Sequence, residues 1–228
     1  LSQAQKERTI MLAGISHDLR TPLTSIIGSS ASYIENHDQL DSDEKLELLT
    51  TIHDDSNWLL NMVENLLSIT RIREDRPIIN TTDEIVEEVI GEALQKMEKR
   101  HPGCTIHVTI PDDFILLPMD VVLIEQVILN LLENALVHSE STQPVELIIT
   151  NDGPTVTFHV IDHGKGIETS ALPDIFSGKY DSSHASDTKR GMGIGLSICR
   201  TIVQAHGGTI TAHNHENGAE FAFSLPSM

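Results

Sequence analysis

Ser16-His17-Asp18-Leu19-Arg20-Thr21-Pro22-Leu23 sets an ionisable side chain inside an apolar helical repeat. Leu12, Ile15, Leu19, Pro22 and Ile26 recur at three- and four-residue spacing, the mark of one buried helical stripe. His17 is two residues from both Ile15 and Leu19, roughly 200° around the helix at ~100° per residue. The pattern therefore predicts that His17 faces solvent. Asp18 beside it can orient the imidazole or accept its proton, and an imidazole nitrogen is a usable nucleophile at neutral pH. An outward histidine on a helix is by itself ordinary surface, so the remaining sequence has to decide whether His17 does chemistry.

The 228 residues carry 34 acidic and 15 basic side chains, a formal charge of -19, with 39% hydrophobic residues. Such a surface argues against nucleic acid and anionic membranes as partners. Cys104 and Cys199 are far apart and form no CxxC pattern, so neither a disulfide framework nor a zinc site is expected, and a reducing compartment is. Phe114 to Leu132 is the longest apolar stretch and is broken by Asp120, Glu125, Gln126 and Asn130, which excludes a membrane span there.

Helical spacing from about Ser2 to Glu35 gives way to a polar turn at Asn36-His37-Asp38-Gln39. Asp41 or Ser42 then caps a second helix whose Leu49, Ile52, Ser56, Leu59, Val63, Leu66 and Thr70 form a heptad-like seam. Two long helices on a short loop make an antiparallel hairpin. It cannot bury both stripes alone, so pairing of two copies into a four-helix bundle is predicted. Pro22 lacks the N–H that would bond the Asp18 carbonyl, and a bend beside His17 is expected. The expected hairpin covers residues 1–75, a linker 76–80, and a second domain 81–228. In that domain helical spacing covers Asp83 to Lys99, Asp120 to His138 and Gly195 to His206. Strand patterns cover Thr105 to Ile110, Val145 to Thr150, Thr155 to Ile161, Thr209 to His213 and Ala219 to Leu225. The fold class is α+β.

Three elements of the second domain carry chemistry. Asn130 and Asn134 share one helical face, where neutral amide oxygens can ligate Mg2+ or simply be solvated. Asp162-His163-Gly164-Lys165-Gly166-Ile167 follows a strand directly, placing a carboxylate at its end and glycines where a backbone passes close to a ligand or merely turns. Gly191-Met192-Gly193-Ile194-Gly195-Leu196 opens a helix, whose exposed N–H groups suit a phosphate. It is neither a Walker loop nor a dinucleotide fingerprint. Between the glycine motifs, Ser177 to Arg190 reads as a lid or a disordered loop. His213-Asn214-His215 is the one close histidine pair and is read as an exposed turn, a poor metal site.

In this order the elements resemble the two-component sensor histidine kinases. Ser16 to Leu23 is similar to the family's H box, Asn130 to His138 to its N box, Asp162 to Ile167 to its G1 box, Leu172 to Phe176 to its F box, and Gly191 to Leu196 to its G2 box. Asn130 to Ala135, Gly195 to Arg200 and His206 to Thr211 look like the potassium-responsive branch of the family. The resemblance implies a dimeric four-helix bundle followed by an α/β sandwich of the GHKL, or Bergerat, type. It implies that ATP phosphorylates His17, with Asp18 as its acid–base neighbour, and that the phosphoryl group passes to an aspartate of a response-regulator receiver domain. It further implies that Asn134 ligates Mg2+, that Asn130 lies near the phosphates, and that Asp162 bonds the adenine amino group. Gly164 and Gly166 shape that pocket, Gly191, Gly193, Gly195 and Leu196 approach the phosphates, and Thr21 serves a phosphatase activity. As a cytoplasmic part of a bacterial inner-membrane sensor, the chain would reach the membrane only through segments outside it.

Two departures accompany the match. Val137 stands where many members carry a basic residue, and Ser177-Gly178-Lys179 replaces an arginine-bearing segment. Phosphate neutralisation would then fall to Lys179, Lys189 or Arg190. A chaperone-like ATPase would share the glycine boxes without needing an outward His17, and an inactive ATP-binding dimeric scaffold would fit if Val137 and the altered lid had removed activity.

Overall fold

The computed structural model describes residues 3–71, 79–177 and 194–227, with side chains over 19–67, 79–177 and 195–227. The chain divides into two compact units, Leu1–Leu67 and Ser68–Met228. Residues 76–78 of the proposed linker, like the bulk of the lid, lie outside the described residues.

The first unit is the predicted hairpin of α1 (Gln3–Asn36) and α2 (Ser42–Arg71). Asp41, not Ser42, caps the second helix. Its Oδ1 accepts from the amides of Asp43 and Glu44 at 2.9 and 2.8 Å, while Glu44 Oε2 accepts from the Asp41 amide at 2.9 Å. This reciprocal box satisfies amides that a helix start leaves without partners. Pro22 is buried and Leu19 and Ile26 half-buried, as the first stripe predicts. The second stripe departs from expectation, because the heptad-like seam straddles two faces. Ile52, Leu59 and Leu66 are partly covered and Met62 is buried, whereas Leu49 and Val63 are 48% and 45% exposed. Leu49 and Val63 belong instead to an outward stripe with Leu46, Leu60 and Leu67, matched on α1 by exposed Leu23, Ile27 and Ile34.

The second unit is an α/β sandwich. A five-stranded sheet runs β2 (Ile106–Thr109), β4 (Val145–Asn151), β5 (Thr155–Ile161), β7 (Gly218–Pro226), β6 (Thr209–His215), with β2 parallel to β4 and the other pairs antiparallel. Helices α3 (Val86–Arg100), α4 (Val121–His138) and α5 (Ile194–Ala205) share one core with it. The strands alternate as a half-buried sheet must: Val156, Phe158 and Val160 point into the core while Thr157, His159 and Ile161 do not. Phe158 stacks on Phe223 of the neighbouring strand with ring centroids 4.5 Å apart. Each such buried ring contributes about 2–3 kcal/mol of hydrophobic stabilisation. α4 has the length and apolarity of a membrane span, but most of its side chains are buried in this core.

One expectation is corrected here. The helix expected from Asp83 starts at Val86, because Thr82–Ile85 is a strand, β1, paired antiparallel with β3 (Leu116–Met119). Neither strand alternates in sequence. Their partnership is what makes them strands.

His206 ties the end of α5 to the start of α4. Its Nδ1–H donates to the Ile202 carbonyl at 2.8 Å and its Nε2 accepts the Asp120 amide at 3.1 Å. Acceptance at Nε2 requires the neutral ring. Burial lowers its pKa, against the opposing pull of the Ile202 carbonyl and the Asp120 charge. Because the unfolded chain takes up this proton first, stability is fully present above the ordinary histidine pKa of about 6.5 and declines as pH falls through and below it. Urea midpoints at pH 7.5 and 5.5 are therefore expected to drop more on acidification for the native chain than for His206→Gln. An equal drop in both would show that His206 does not titrate between the folded and unfolded states.

Candidate functional site

The Asp162–Ile167 turn leaves the end of β5 and folds against the end of α4. Asp162 is 5% exposed, and its Oδ1 accepts the amides of Gly164 at 2.9 Å and Ala219 at 3.3 Å. Its Oδ2 makes no hydrogen bond among the described residues. A carboxylate buried this deeply with one oxygen left over can receive a donor from a ligand or from water. The turn reaches α4 through the Lys165 amide, which donates to the Ser139 carbonyl at 3.1 Å. Gly164 makes this approach possible: a Cβ there would sit 2.0 Å from that carbonyl oxygen. Gly166 occupies the left-handed region at φ +72°, which a glycine adopts without strain. Lys165 is turned outward to Glu140, at 2.9 Å.

Asn134 lies one helical turn before the end of α4, half-buried, and its side chain makes no hydrogen bond among the described residues. Its amide oxygen is thus available. Asn130 is committed: its Oδ1 accepts from Gln126 Nε2 at 3.0 Å, and its Nδ2 lies 3.5 Å from the Gly195 carbonyl. It links α4 to the first turn of α5. The Cys199 thiol is buried in the same place, and burial pushes its pKa up to about 12, which makes it an inert packing group. Leu196 is 2% exposed in the core, so only its backbone remains for a ligand. Gly195 is half-buried, and a Cβ there would meet the Asn130 amide at an ordinary 3.8 Å. Leu172–Asp174 forms a short 3-10 turn, after which Ile175 is buried and Phe176 meets Phe221 edge-on at 6.3 Å. Lys179, Lys189, Arg190, Gly191 and Gly193 lie outside the described residues. Among the described residues, no group of three or more His, Cys, Asp or Glu side chains is arranged to hold a metal ion.

On α1, positions 16–23 are helical throughout, and Thr21 is exposed. The side chains of His17 and Asp18 lie outside those described. Two residues read from sequence only as part of an exposed turn also hold the glycine turn: Asn214 and His215 hydrogen-bond to Ile167 and Asp162. The expected exposed turn at His213-Asn214-His215 is in fact the end of strand β6. Pairing with Gly218–Glu220 of β7 keeps these residues extended.

Two family models match the chain. The "His Kinase A (phospho-acceptor) domain" covers residues 7–75, and the "Histidine kinase-, DNA gyrase B-, and HSP90-like ATPase" covers residues 119–228. The chain is 42% identical over 226 residues to the sensor protein KdpD of Clostridium acetobutylicum, covering 98% of this chain and 25% of that protein. It is 34% identical over 237 residues to KdpD of Escherichia coli, covering 100% of this chain and 25% of that protein. The chain thus spans about a quarter of the length of these relatives. Among solved structures, the histidine kinase ThkA in complex with the response regulator TrrA matches with a TM-score of 0.72 and 25% identity, over 99% of this chain and 64% of that one. With a phospho-acceptor hairpin and an ATPase sandwich in the order that the five motifs predict, the chain belongs to the sensor histidine kinase family.

Proposed function

We propose that the chain is the catalytic core of a sensor kinase, in which ATP bound in the second unit phosphorylates His17 in the first. The buried Asp162 with its spare Oδ2 carries this reading, because adenine presents an amino group of matching polarity. Asp18 takes the proton from one ring nitrogen of His17 as the other attacks the γ-phosphorus. An N–P bond forms, the bond to the bridging oxygen breaks, and ADP leaves. In such transfers the protein mainly positions groups and offsets charge. Asn134 offers one neutral oxygen, a fitting ligand for an Mg2+ ion whose other positions are held by phosphates and water. Bound there, Mg2+ would neutralise phosphate charge. The backbone at Gly191, Gly193 and Gly195, with Lys179, Lys189 or Arg190, would hold the phosphates.

Phosphohistidine would then pass its phosphoryl group to an aspartate of a response regulator, a partner class that the ThkA–TrrA complex supports. Exposed Thr21, four residues after His17 on the same helical face, would hold a hydrolytic water for the reverse, phosphatase, reaction. The outward stripes Leu23-Ile27-Ile34 and Leu46-Leu60-Leu67 support pairing of two hairpins into a homodimeric four-helix bundle. Attachment to a bacterial inner membrane would come from segments outside this chain.

Calorimetric titration tests the pocket. Asp162→Asn is expected to weaken ATP about tenfold or more, or at least ~1.4 kcal/mol. Asn134→Ala should abolish the Mg2+-dependent part of the affinity and leave the Mg2+-free part intact. Neither should lower the unfolding temperature by more than a few degrees. Wild-type affinity in both variants would refute the pocket.

A further inference from the structure

Asn214 belongs to none of the five motifs, yet its amide grips one residue of the Asp162–Ile167 turn twice. Oδ1 accepts the Ile167 amide at 2.7 Å, and Nδ2 donates to the Ile167 carbonyl at 2.6 Å. Strands disfavour asparagine, and this one is exposed at the end of β6, so no burial accounts for it. The β6–β7 hairpin holds the other end of the turn as well. His215 Nε2 donates to the Asp162 carbonyl at 3.0 Å, and the Asp162 amide donates to the Ala219 carbonyl at 2.9 Å. A Cβ on Gly218 would come 2.1 Å from that same Asp162 carbonyl oxygen, so the two backbones touch only because glycine stands there. The His215 ring also meets His163 edge-on at 5.8 Å, and His163 Nε2 in turn lies 2.7 Å from Glu146 Oε1.

The turn is therefore held at Asp162 by backbone ladder contacts and the His215 ring, at Lys165 by the Ser139 carbonyl, and at Ile167, among the described residues, by the Asn214 side chain alone. We infer that Asn214 is a positioning residue for purine recognition: by fixing Ile167 it closes the turn and holds Asp162 Oδ2 at the angle that an adenine amino group requires. This rests on the adenine reading of Asp162 given above. Asn214 touches no substrate. It acts by removing the freedom of the turn's far end, where Gly164 and Gly166 offer the backbone little resistance of their own.

The test uses the full 228-residue chain and two probes, ATP and GTP, whose rings differ in carrying an amino group or an oxygen at the six-position. Asn214→Ala is expected to weaken ATP about tenfold, ~1.4 kcal/mol, and to leave the weaker GTP binding unchanged, so that the preference collapses. Asn214→Asp keeps the acceptor for the Ile167 amide and loses the donor, and should fall between. Amide hydrogen exchange should quicken at Ile167 and Gly164 in Asn214→Ala, with the unfolding temperature unchanged. Equal losses for ATP and GTP, or a fall in unfolding temperature that parallels the loss, would make Asn214 merely structural and overturn the inference. So would full ATP affinity in Asn214→Ala while Asp162→Asn binds poorly. If Asp162→Asn itself binds ATP normally, the pocket reading fails first and the inference falls with it.

Discussion

His17→Gln is expected to abolish incorporation of label from γ-labelled ATP while leaving the dissociation constant for ATP within about twofold of wild type. Glutamine approximates the length and polarity of histidine but has no ring nitrogen able to attack phosphorus, so the nucleophile is lost and little else. Nucleotide affinity should be spared because the residues of the proposed pocket, Asp162, Gly164 and Asn134, belong to the second unit, whereas His17 sits in helix α1. The wild-type label should be lost in acid and retained in base, as a phosphoramidate is and a phosphoserine is not. With 12 histidines in the chain, the single substitution is what locates the acceptor. Label persisting in His17→Gln would overturn the assignment, and absence of label in the wild type would favour the inactive scaffold for which Val137 is the sequence argument.

The parts of this fold that could be read from sequence are those where one residue's environment is set by near neighbours. Alternation in Thr155–Ile161 names the buried face of β5 directly, and Asp120 before an apolar run marks the N-terminus of α4, where its Oδ1 does accept the Leu123 amide. β1 and β3 escaped because Asp83 and Glu84 are poor strand formers and Pro118 argues against a strand. In a two-stranded sheet both strands are edges, so Pro118 is tolerated, and pairing across more than thirty residues supplies what local propensity lacks. The same limit hid Asn214, whose hydrogen bonds span 47 residues. The seam of α2 failed for another reason. A helix with apolar residues on two faces offers several heptad registers, and Leu49 and Val63 fit one while Ile52 and Leu59 fit the next. Motif order singles out Asp162 and Asn134 because their residue types suit the ligand chemistry proposed for them. It does not reveal that Asn130 also links α4 to the first turn of α5, since that contact spans 65 residues.

Gly164→Ala should destabilise the second unit by about 3 kcal/mol and eliminate ATP binding, whereas Gly195→Ala should leave stability within ~0.5 kcal/mol. The new methyl at 164 would meet the Ser139 carbonyl oxygen at 2.0 Å and its Cα and carbonyl carbon at 2.5 Å, all backbone atoms at the end of α4. No rotamer change relieves such a clash. The turn must lift by more than 1 Å to reach ordinary contact distance, which breaks the Lys165 amide bond to Ser139 and pulls the Gly164 amide from Asp162 Oδ1. Overpacking at 1–3 kcal/mol and about 1 kcal/mol for each lost bond account for the predicted destabilisation. At Gly195 the nearest atoms are 3.8 Å away and belong to the Asn130 side chain, and alanine is the better helix former. Any loss of ATP affinity in Gly195→Ala therefore reports a ligand that needs the space, not damage to the fold. Thermal unfolding and ATP titration of the two variants side by side separate the cases. If Gly164→Ala melts and binds as wild type does, the turn does not lie against Ser139, and the cradle around Asp162 is wrong.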